Sequence, residues 1–238
     1  MFDVKLSFLS PVAEVIYPIA AQYAFAAISN AASKGVKISN IGVTERTLIH
    51  TARNQLAKGF LDSGDEWAFW WDCDVVMEPD TITRLLNVAK EKDAKMVTGV
   101  YYQRLGKHFP VLWKKDPVGL DGEKISLGPA RNAESEKYRS HYLIPHPDAK
   151  KPLQADIAGF GCMLTHRSVF DGMAFPWFKT LTGVCSEDFY FCVNARGKGV
   201  QLWADPSIRL GHISKPQVVF KEHLQFDNLN KKAVKLGA

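Results

Sequence analysis

The amino-acid sequence predicts an α/β fold with a mostly parallel central sheet, helices on both faces and one irregular insertion. Two observations support the sheet. Apolar strand-like segments alternate with helical segments up to residue 101, and the connections between them are short, as is typical of parallel strands joined by helices. A third observation marks the insertion, because Pro, Gly, Asn and charged residues dominate from Gln103 to Pro152. In such sheets, ligands bind beyond the carboxyl ends of the strands.

The first two strands and helices are separated by clear turn signals. They are predicted at residues 4–9, 12–32, 36–43 and 44–62, in chain order. The first strand is apolar and ends at Ser10-Pro11, and the Ala-rich first helix stops near Gly35. The second strand is rich in β-branched residues. Thr44 is a suitable N-cap for the second helix.

A buried strand, a third helix and a fourth strand follow, at residues 67–71, 78–92 and 95–101. The run Trp67–Trp71 carries no charge, which is typical of a strand covered on both faces. Glu78-Pro79-Asp80 suits the start of a helix. Weak strands are predicted within the insertion at residues 111–113 and near Ile125. Beyond the insertion we expect strands at 153–157 and 200–204, a helix at 186–197, and a strand or loop at 205–212.

Two aspartates directly follow the buried strand. Asp72 and Asp74 are spaced i, i+2, which in extended backbone directs both side chains to the same side. Two carboxylates at the end of an apolar strand are unfavourable unless a positive group lies between them. A divalent cation meets that need and commonly also binds phosphate oxygens of a substrate. The alternative is a metal-free acidic turn, because Asp is common in turns.

Glu187 and Asp188 form a second acidic pair, at the start of the helix predicted at 186–197. One carboxylate there can act as the general base on an incoming hydroxyl. Stabilisation of the helix through its macrodipole is the simpler alternative. His212 lies in an apolar segment, where it is either a structural residue or a further metal ligand that would favour manganese over magnesium.

Several other residues are candidates for contact with a ligand. Arg53 and Asn54 could reach a phosphate or a ribose from the second helix, although an exposed helical arginine is the simpler interpretation. Gly159 and Gly161 interrupt an apolar strand-like segment, where glycine often marks close approach of backbone or ligand, with tight packing as the alternative. A sugar or nucleotide pocket could also be lined by the residues after the fourth strand, Tyr101, Tyr102 and Arg104.

The composition fits a globular protein with an anionic ligand better than one that binds nucleic acid. Of the 238 residues, 46% are hydrophobic and 23% are charged, and the formal net charge is only +5. Apart from a run at 221–235, the basic residues are scattered through the sequence. This scatter argues against a nucleic-acid surface, where Lys and Arg are clustered. The four cysteines have no metal-type spacing and predict reduced thiols in a cytoplasmic protein. No apolar run reaches the roughly 18 residues of a transmembrane segment.

Taken together, these features resemble glycosyltransferases of the GT-A fold, particularly the family 2-like enzymes of bacteria and phages. The matching motifs are, in order, Ser10-Pro11, Ala52-Arg53-Asn54, Asp72-Cys73-Asp74, the segment 158–164, Glu187-Asp188 and Gly211-His212. The resemblance implies a Rossmann-like GT-A sheet in a single catalytic domain of residues 1–213. Residues 103–152 would form an acceptor or lid region of that domain, and residues 214–238 a C-terminal extension.

The resemblance also implies roles for individual residues. Asp74 and His212 would bind Mn²⁺ or Mg²⁺, and Asp72 would contact the metal or the ribose of the donor. Asp188 would be the catalytic base of an inverting transfer, with Glu187 beside it. The predicted nucleotide site consists of Ser10, Pro11, Thr44, Arg53, Asn54, Asp72 and Gly159.

The expected function is therefore metal-dependent transfer of a sugar from a nucleoside-diphosphate sugar to an acceptor hydroxyl. The acceptor, whether a saccharide, a protein or another hydroxyl compound, is not specified by the sequence. Two alternatives remain. A nucleotidyltransferase also joins a parallel sheet to acidic metal ligands, but it would carry a glycine-rich and basic loop where this chain has residues 10–14. A non-catalytic protein that binds sugar nucleotides could use the same scaffold.

Overall fold

The computed structural model describes residues 1–12, 15–115, 136–214, 217–219 and 235–236. The strands are β1 (Val4–Pro11), β2 (Val36–Thr44), β3 (Trp67–Trp71), β4 (Val75–Met77), β5 (Met96–Val100), β6 (Leu112–Lys114), β7 (His141–Tyr142), β8 (Ile144–Pro145), β9 (Leu153–Ala155), β10 (Ile157–Ala158), β11 (Cys162–His166), β12 (Leu202–Ser214), β13 (Gln217–Val219) and β14 (Lys235–Leu236). The α-helices are α1 (Pro18–Ser33), α2 (Ile49–Ser63), α3 (Thr81–Glu91) and α4 (Glu187–Gly197), and a short 3₁₀ helix spans Arg167–Phe170.

Nine strands of the described part of the chain form one mixed sheet. Its main path runs β13-β12-β5-β11-β3-β1-β2, and both β4 and β9 also pair with β12. Strands β2, β1 and β3 are parallel neighbours, and β12 is parallel to β5. Strand β11 lies antiparallel between β3 and β5. Since β11 opposes both neighbours, β3 and β5 point the same way, and the prediction of a mostly parallel α/β sheet is confirmed.

Helices cover both faces of the sheet, as predicted. Helices α1 and α3 pack on one face, where their buried alanine and leucine side chains meet Phe69 and Trp71 of β3. Helices α2 and α4 pack on the other face with Trp70. Consecutive side chains of a strand point to opposite faces. This uncharged strand, β3, therefore contributes side chains to the hydrophobic core on each face of the sheet. All five of its residues are buried.

An aromatic cluster holds α4 against β3. Phe191 of α4 stacks on Phe178 with ring centroids 4.5 Å apart and meets Phe160 edge-on at 5.0 Å. Trp70 of β3 meets the same two rings at 5.4 and 5.6 Å. These distances suit favourable aromatic pairs. The packing fixes the first turn of α4, which carries Glu187, relative to the carboxyl end of β3.

Some predicted element boundaries are wrong. Ser10 and Pro11 extend β1 rather than ending it, because Pro11 pairs in register with Thr44 of β2. Thr44 is consequently strand, not an N-cap, and α2 begins only at Ile49 after Leu48 at the cap position. The first helix begins at Pro18, later than predicted.

Other differences concern elements built by long-range pairing. Strand β4 was not predicted, and residues 205–212 belong to the long strand β12, with which β4 pairs antiparallel. The insertion contains β6, β7 and β8, and the first two form a small sheet with β10. The strand expected near Ile125 lies outside the described residues. Every helix among the described residues falls short of the length and apolarity that a membrane crossing requires.

The aromatic cluster leads to a stability prediction. Phe191→Ala should lower the free energy of unfolding by about 3–5 kcal/mol, because it removes a fully buried ring and leaves a cavity. Phe25→Ala is the matched control, since Phe25 is 69% exposed and its loss should change stability by no more than ~0.5 kcal/mol. Urea titration followed by tryptophan fluorescence measures both. Equal stability losses in the two variants would contradict the assigned core.

Candidate active site

The Asp72-Cys73-Asp74 turn lies at the carboxyl end of β3 and is held by three backbone hydrogen bonds. The N–H of Asp72 donates to the carbonyl of Gly161 at 3.2 Å, and the N–H of Val75 donates to the carbonyl of Asp72 at 2.9 Å. The N–H of Ile213 donates to the carbonyl of Asp74 at 2.8 Å. The position of both carboxylates is therefore set by the sheet rather than by a free loop.

His212 lies beside Asp74 because of strand register. It is opposite Val75 in the antiparallel pairing of β12 with β4, which places its Nε2 atom 3.5 Å from Oδ2 of Asp74. Its Nδ1 atom lies 2.7 Å from the carbonyl oxygen of Tyr102. A carbonyl oxygen only accepts, so Nδ1 carries a proton, and in neutral imidazole the lone pair of Nε2 then faces a carboxylate. That contact is favourable only when a proton or a cation lies between the two atoms.

Asp72 faces a different partner, the guanidinium group of Arg53. Nη2 of Arg53 lies 3.0 Å from Oδ1 of Asp72, and Nε lies 3.2 Å from Oε1 of Glu187. Arg53 belongs to α2, is 2% exposed and lies over the ring of Phe160 at 5.4 Å. Its Nη1 atom has no hydrogen-bond partner among the described residues. One buried cation thus joins the end of β3 to the start of α4.

The charges around Arg53 shift the pKa values of the group. Burial by itself would lower the pKa of Arg53, but the carboxylates of Asp72, Glu187 and Asp188 outweigh burial and raise it. The pKa of Asp72 is raised, chiefly by burial and further by Asp74 and Glu187, although Arg53 opposes the rise. This region therefore holds more negative charge than its arginine neutralises.

Asp188 has the features of a general base. Its side chain is half-buried, and Oδ1 accepts hydrogen bonds from the Ser186 hydroxyl and, at 2.8 Å, from the N–H of Phe189. Burial and the neighbouring Glu187 raise the pKa of Asp188 to about 6, while Ser186 and Arg53 act in the opposite direction. Glu187 differs because it is buried and bound to Arg53. Of the two acids, Asp188 is therefore better placed to accept a proton.

Asp74 is held between two positive or potentially positive groups. Besides His212, Nη1 of Arg104 contacts Oδ2 of Asp74 at 2.9 Å. Burial would raise the pKa of Asp74, but His212 and Arg104 outweigh it and lower the pKa. The carboxylate is therefore ionised and stabilised by positive charge even without a metal ion.

The two glycines of the segment 159–161 make room for Tyr101. A side chain at Gly159 would collide with the Tyr101 hydroxyl and with Val111, and the N–H of Gly161 donates to that hydroxyl at 3.2 Å. The ring of Tyr101 meets His212 edge-on at 5.3 Å. These contacts give Gly159 a packing role. Tight packing was the alternative to close approach of a ligand in the sequence analysis. Its predicted contact with nucleotide stays a prediction.

The predicted nucleotide residues at the ends of β1 and β2 lie side by side. Ser10 and Pro11 are buried and pair with Val43 and Thr44. Neither the Ser10 nor the Thr44 hydroxyl has a hydrogen-bond partner among the described residues. An open cavity of about 450 Å³ lies next to this strand end and is lined by residues 43–47, Gln55 and Leu56. This edge of the sheet thus offers space and polar groups for a ligand.

Asn54 has a structural set of contacts. Its Nδ2 atom donates to the carbonyls of His50 and Phe178, each at 2.7 Å, and its Oδ1 atom accepts from the N–H of Phe178 at 3.1 Å. These bonds tie α2 to the segment around Phe178. They account for a buried amide without a ligand, so the predicted contact of Asn54 with nucleotide also remains a prediction.

The structure brings together two of the three predicted metal ligands. Asp74 and His212 are adjacent, whereas Asp72 pairs with Arg53, and within the described ranges no three His, Cys, Asp or Glu side chains form a ready metal cluster. The two adjacent donors nevertheless fit a divalent ion. Magnesium and similar ions often use one or two protein ligands and take the rest from substrate phosphates and water. The bond from Nδ1 of His212 to a carbonyl also orients its Nε2 atom as a metal ligand should be oriented.

Two features of the site were not predicted from sequence. The simpler interpretation from sequence was that Arg53 is an exposed helical residue. In the structure it lies on the buried face of α2. The signal was present, since Arg53 shares helical spacing with the apolar residues Leu56, Ala57 and Phe60. The contact of Arg104 with Asp74 had no such signal, because it joins residues of a loop and a turn that are 30 positions apart.

The sheet order and the acidic turn at its carboxyl edge place the chain in the class of GT-A α/β glycosyltransferase folds. Within this class the chain belongs to glycosyl transferase family 2, whose model matches residues 29–173. The match covers more than half of the sequence. Glycosyl transfer is therefore the activity supported at the level of the family.

Solved structures are similar in fold. The crystal structure of A197 from STIV matches this chain with a TM-score of 0.61 and 13% sequence identity. The match covers 99% of this chain and 95% of that chain. The structure of GalNAc-T7 with UDP, GalNAc and Mn²⁺ has a TM-score of 0.55 and 13% identity, over 88% of this chain but 44% of that chain. At such identity the likeness shows the fold alone. No curated protein sequence gives a significant match.

The buried ion pairs lead to a second stability prediction. Arg53→Met should lower the free energy of unfolding by about 3–5 kcal/mol, because it leaves the buried Glu187 without its counter-charge. Adding Glu187→Gln to that variant should restore part of the loss, since the stranded charge is removed. Chemical unfolding of the two single variants and the double variant measures the coupling. Additive losses would contradict a direct interaction between these side chains.

Proposed function

We propose that this chain catalyses metal-dependent transfer of a sugar from a nucleoside-diphosphate sugar to an acceptor hydroxyl. The observation that carries the proposal is the contact between Oδ2 of Asp74 and Nε2 of His212, 3.5 Å apart at the carboxyl edge of the sheet. Both atoms can bind a divalent ion, and an ion between them would replace the proton or the Arg104 guanidinium that otherwise makes this contact favourable. Family membership supplies the reaction class, and this pair supports the metal and the anionic donor.

The proposed donor lies along the carboxyl ends of β2, β1 and β3. The nucleoside would occupy the cavity beside Thr44, and the diphosphate would reach the turn at Asp72 and Asp74. Neighbouring strands are about 4.8 Å apart, so the ends of β2 and β3 are separated by roughly 10 Å. An extended nucleoside diphosphate has a comparable reach. The Ser10 and Thr44 hydroxyls are unpartnered and buried, so they would contact the nucleoside after a local shift that exposes them.

Asp74 and His212 would hold the divalent ion, together with oxygens of the donor. When bound, such an ion neutralises the diphosphate and so stabilises the charge that develops as the sugar departs. The structure of GalNAc-T7 contains UDP and Mn²⁺. We propose that this chain likewise binds a nucleotide and a divalent ion such as Mn²⁺. The proposal does not specify the sugar.

Asp188 would act as the base of a single, inverting displacement. The acceptor oxygen attacks the anomeric carbon as its proton passes to Asp188. The bond from that carbon to the diphosphate oxygen breaks, and the diphosphate departs with the bonding electron pair. A pKa of about 6 leaves Asp188 ionised at neutral pH yet basic enough to assist. Glu187 would position the helix start through Arg53 rather than contact the acceptor.

The insertion is the proposed acceptor region, because it packs against the helix that carries Asp188. Trp113 meets Phe189 at 4.6 Å, and Tyr138 stacks with Tyr190 at 6.3 Å. Side chains of the insertion therefore surround the residues next to the base. Residues 1–213 would form the catalytic domain. The free state of all four cysteines is consistent with a cytoplasmic setting, which is part of the proposal.

Metal-dependent binding tests the proposal directly. Calorimetry with UDP, GDP and dTDP should detect one preferred nucleotide in the presence of Mn²⁺, and excess chelator should abolish that binding. Asp74→Ala should lose the metal-dependent component because it removes a proposed ligand, whereas Asp62→Ala, at an exposed carboxylate of α2, should bind like wild type. Binding of equal strength in chelator would contradict the bridging cation.

Asp188→Asn tests the base. Donor binding should be retained, while transfer, or donor hydrolysis by water, falls at least ~100-fold, the scale of a general base. Asp62→Asn, at an exposed carboxylate of α2 outside the proposed acceptor region, is the control and should transfer normally.

The pH profile gives an independent readout of Asp188. Wild-type turnover should fall as the pH drops through about 6, because the protonated carboxyl cannot accept a proton. Glu187, Arg53, Tyr101 and Cys192 are ionisable groups that interact with it. A flat profile between pH 5 and 8, or near-normal turnover of Asp188→Asn, would remove Asp188 from the mechanism.

A further inference from the structure

Arg104 and His212 contact the same oxygen of Asp74. Nη1 of Arg104 lies 2.9 Å from Oδ2, and Nε2 of His212 lies 3.5 Å from it. The Arg104 side chain is 50% exposed, whereas Asp74 and His212 are 17% and 13% exposed. A surface cation therefore reaches inward to the carboxylate that is the proposed metal ligand.

This contact and a divalent ion bound at the same oxygen would compete electrostatically. An ion held by Asp74 and His212 would place two further positive charges within a few ångströms of the guanidinium group. Like charges so close repel strongly, and the shared carboxylate cannot neutralise both cations. Arg104 is then expected to leave Asp74, and the half-exposed guanidinium end makes this ion pair weaker than a fully buried one.

The backbone beneath Arg104 is fixed, so the exchange involves the side chain. The carbonyl of Arg104 accepts a hydrogen bond from the Ser214 hydroxyl at 3.2 Å, and the carbonyl of Tyr102 binds Nδ1 of His212. Both anchors tie the segment to β12. The guanidinium end can rotate about a long flexible stem and stays within reach of the same edge of the sheet.

We propose that Arg104 exchanges partners between the ligand-free and the donor-bound enzyme. It neutralises Asp74 when no metal is bound, and it binds a diphosphate oxygen of the donor once the cation occupies Asp74. This inference rests on the proposed function. The diphosphate gains negative charge as its bond to the sugar breaks, and a guanidinium group offers charge-assisted hydrogen bonds to that leaving group.

Arg53 provides the contrast that makes the assignment specific. It is 2% exposed and paired with two carboxylates, Asp72 and Glu187. Release of this cation would strand the buried carboxylate of Glu187, which is strongly unfavourable. Arg53 is therefore a fixed charge of the site, and Arg104 is an exchangeable one.

Two titrations of Arg104→Gln test the exchange. Without nucleotide, the variant should bind Mn²⁺ about fivefold more tightly than wild type, the scale of one lost ion-pair competitor. With saturating Mn²⁺, it should bind the preferred nucleoside diphosphate at least ~10-fold more weakly, because a charge-assisted contact is lost. Arg104→Lys should recover part of the nucleotide affinity.

Arg196→Gln is the matched control for these titrations. Arg196 is 45% exposed and pairs with Asp156, which is 11% exposed, at 3.1 Å, so it has the same kind of ion pair at another place. Arg196→Gln should leave the affinity for Mn²⁺ and the affinity for the nucleoside diphosphate unchanged. Thermal unfolding verifies that each variant is folded.

The outcomes separate the two proposals. If wild type binds nucleoside diphosphates with Mn²⁺ and Arg104→Gln binds both ligands as wild type does, the exchange is wrong and the proposed function stands. If Arg104→Gln weakens Mn²⁺ binding, Arg104 supports the metal site instead of competing with it, and the inference is likewise overturned. If wild type binds no nucleoside diphosphate with or without Mn²⁺, the proposed function fails and the inference falls with it.

Discussion

The geometry of the site depends on one buried guanidinium group. Arg53 is almost inaccessible to solvent, and its contacts with Asp72 and Glu187 join a helix, the end of the central strand and the start of a second helix. Glu187 is buried, and its charge would be strongly unfavourable without this cation. Because Glu187 directly precedes Asp188, the same contact fixes the distance between the acidic turn and the proposed base. Structure and chemistry are coupled through this one residue.

A site with excess negative charge suits an anionic donor only when cations can be added or moved. The fixed cation, Arg53, satisfies the buried carboxylates and cannot be removed without a large penalty. The Asp74 side chain is 17% exposed against 26% for Asp72, but its partner Arg104 is 50% exposed and can change partners. The exposure of the two arginine side chains, 3% for Arg53 and 50% for Arg104, thus separates the cation that maintains the fold from the cation that is available for binding.

Local patterns in the sequence predicted much of the fold and part of the site. The uncharged run at 67–71 was predicted with its correct boundaries, because five apolar residues ending in an aspartate carry a strong local signal. The antiparallel insertion of β11 between β3 and β5 had no such signal, since strand order is set by packing between distant segments. The contact of Arg53 with Glu187 is equally non-local, spanning 134 positions. A single sequence reveals the periodicity and the chemistry of its segments. It does not reveal which segments that are distant in the chain pack against one another.

Tyr101 shows how a sequence motif can be explained by packing and still bear on function. Gly159 and Gly161 lack side chains where the Tyr101 ring passes, so the motif is accounted for by the tyrosine. The tyrosine in turn touches His212 edge-on. Burial, followed by the charges of Asp72 and Asp188, raises its pKa well above the ordinary value, so the hydroxyl stays protonated. A neutral ring therefore packs beside the imidazole, and the glycines contribute to the site by leaving room for that ring.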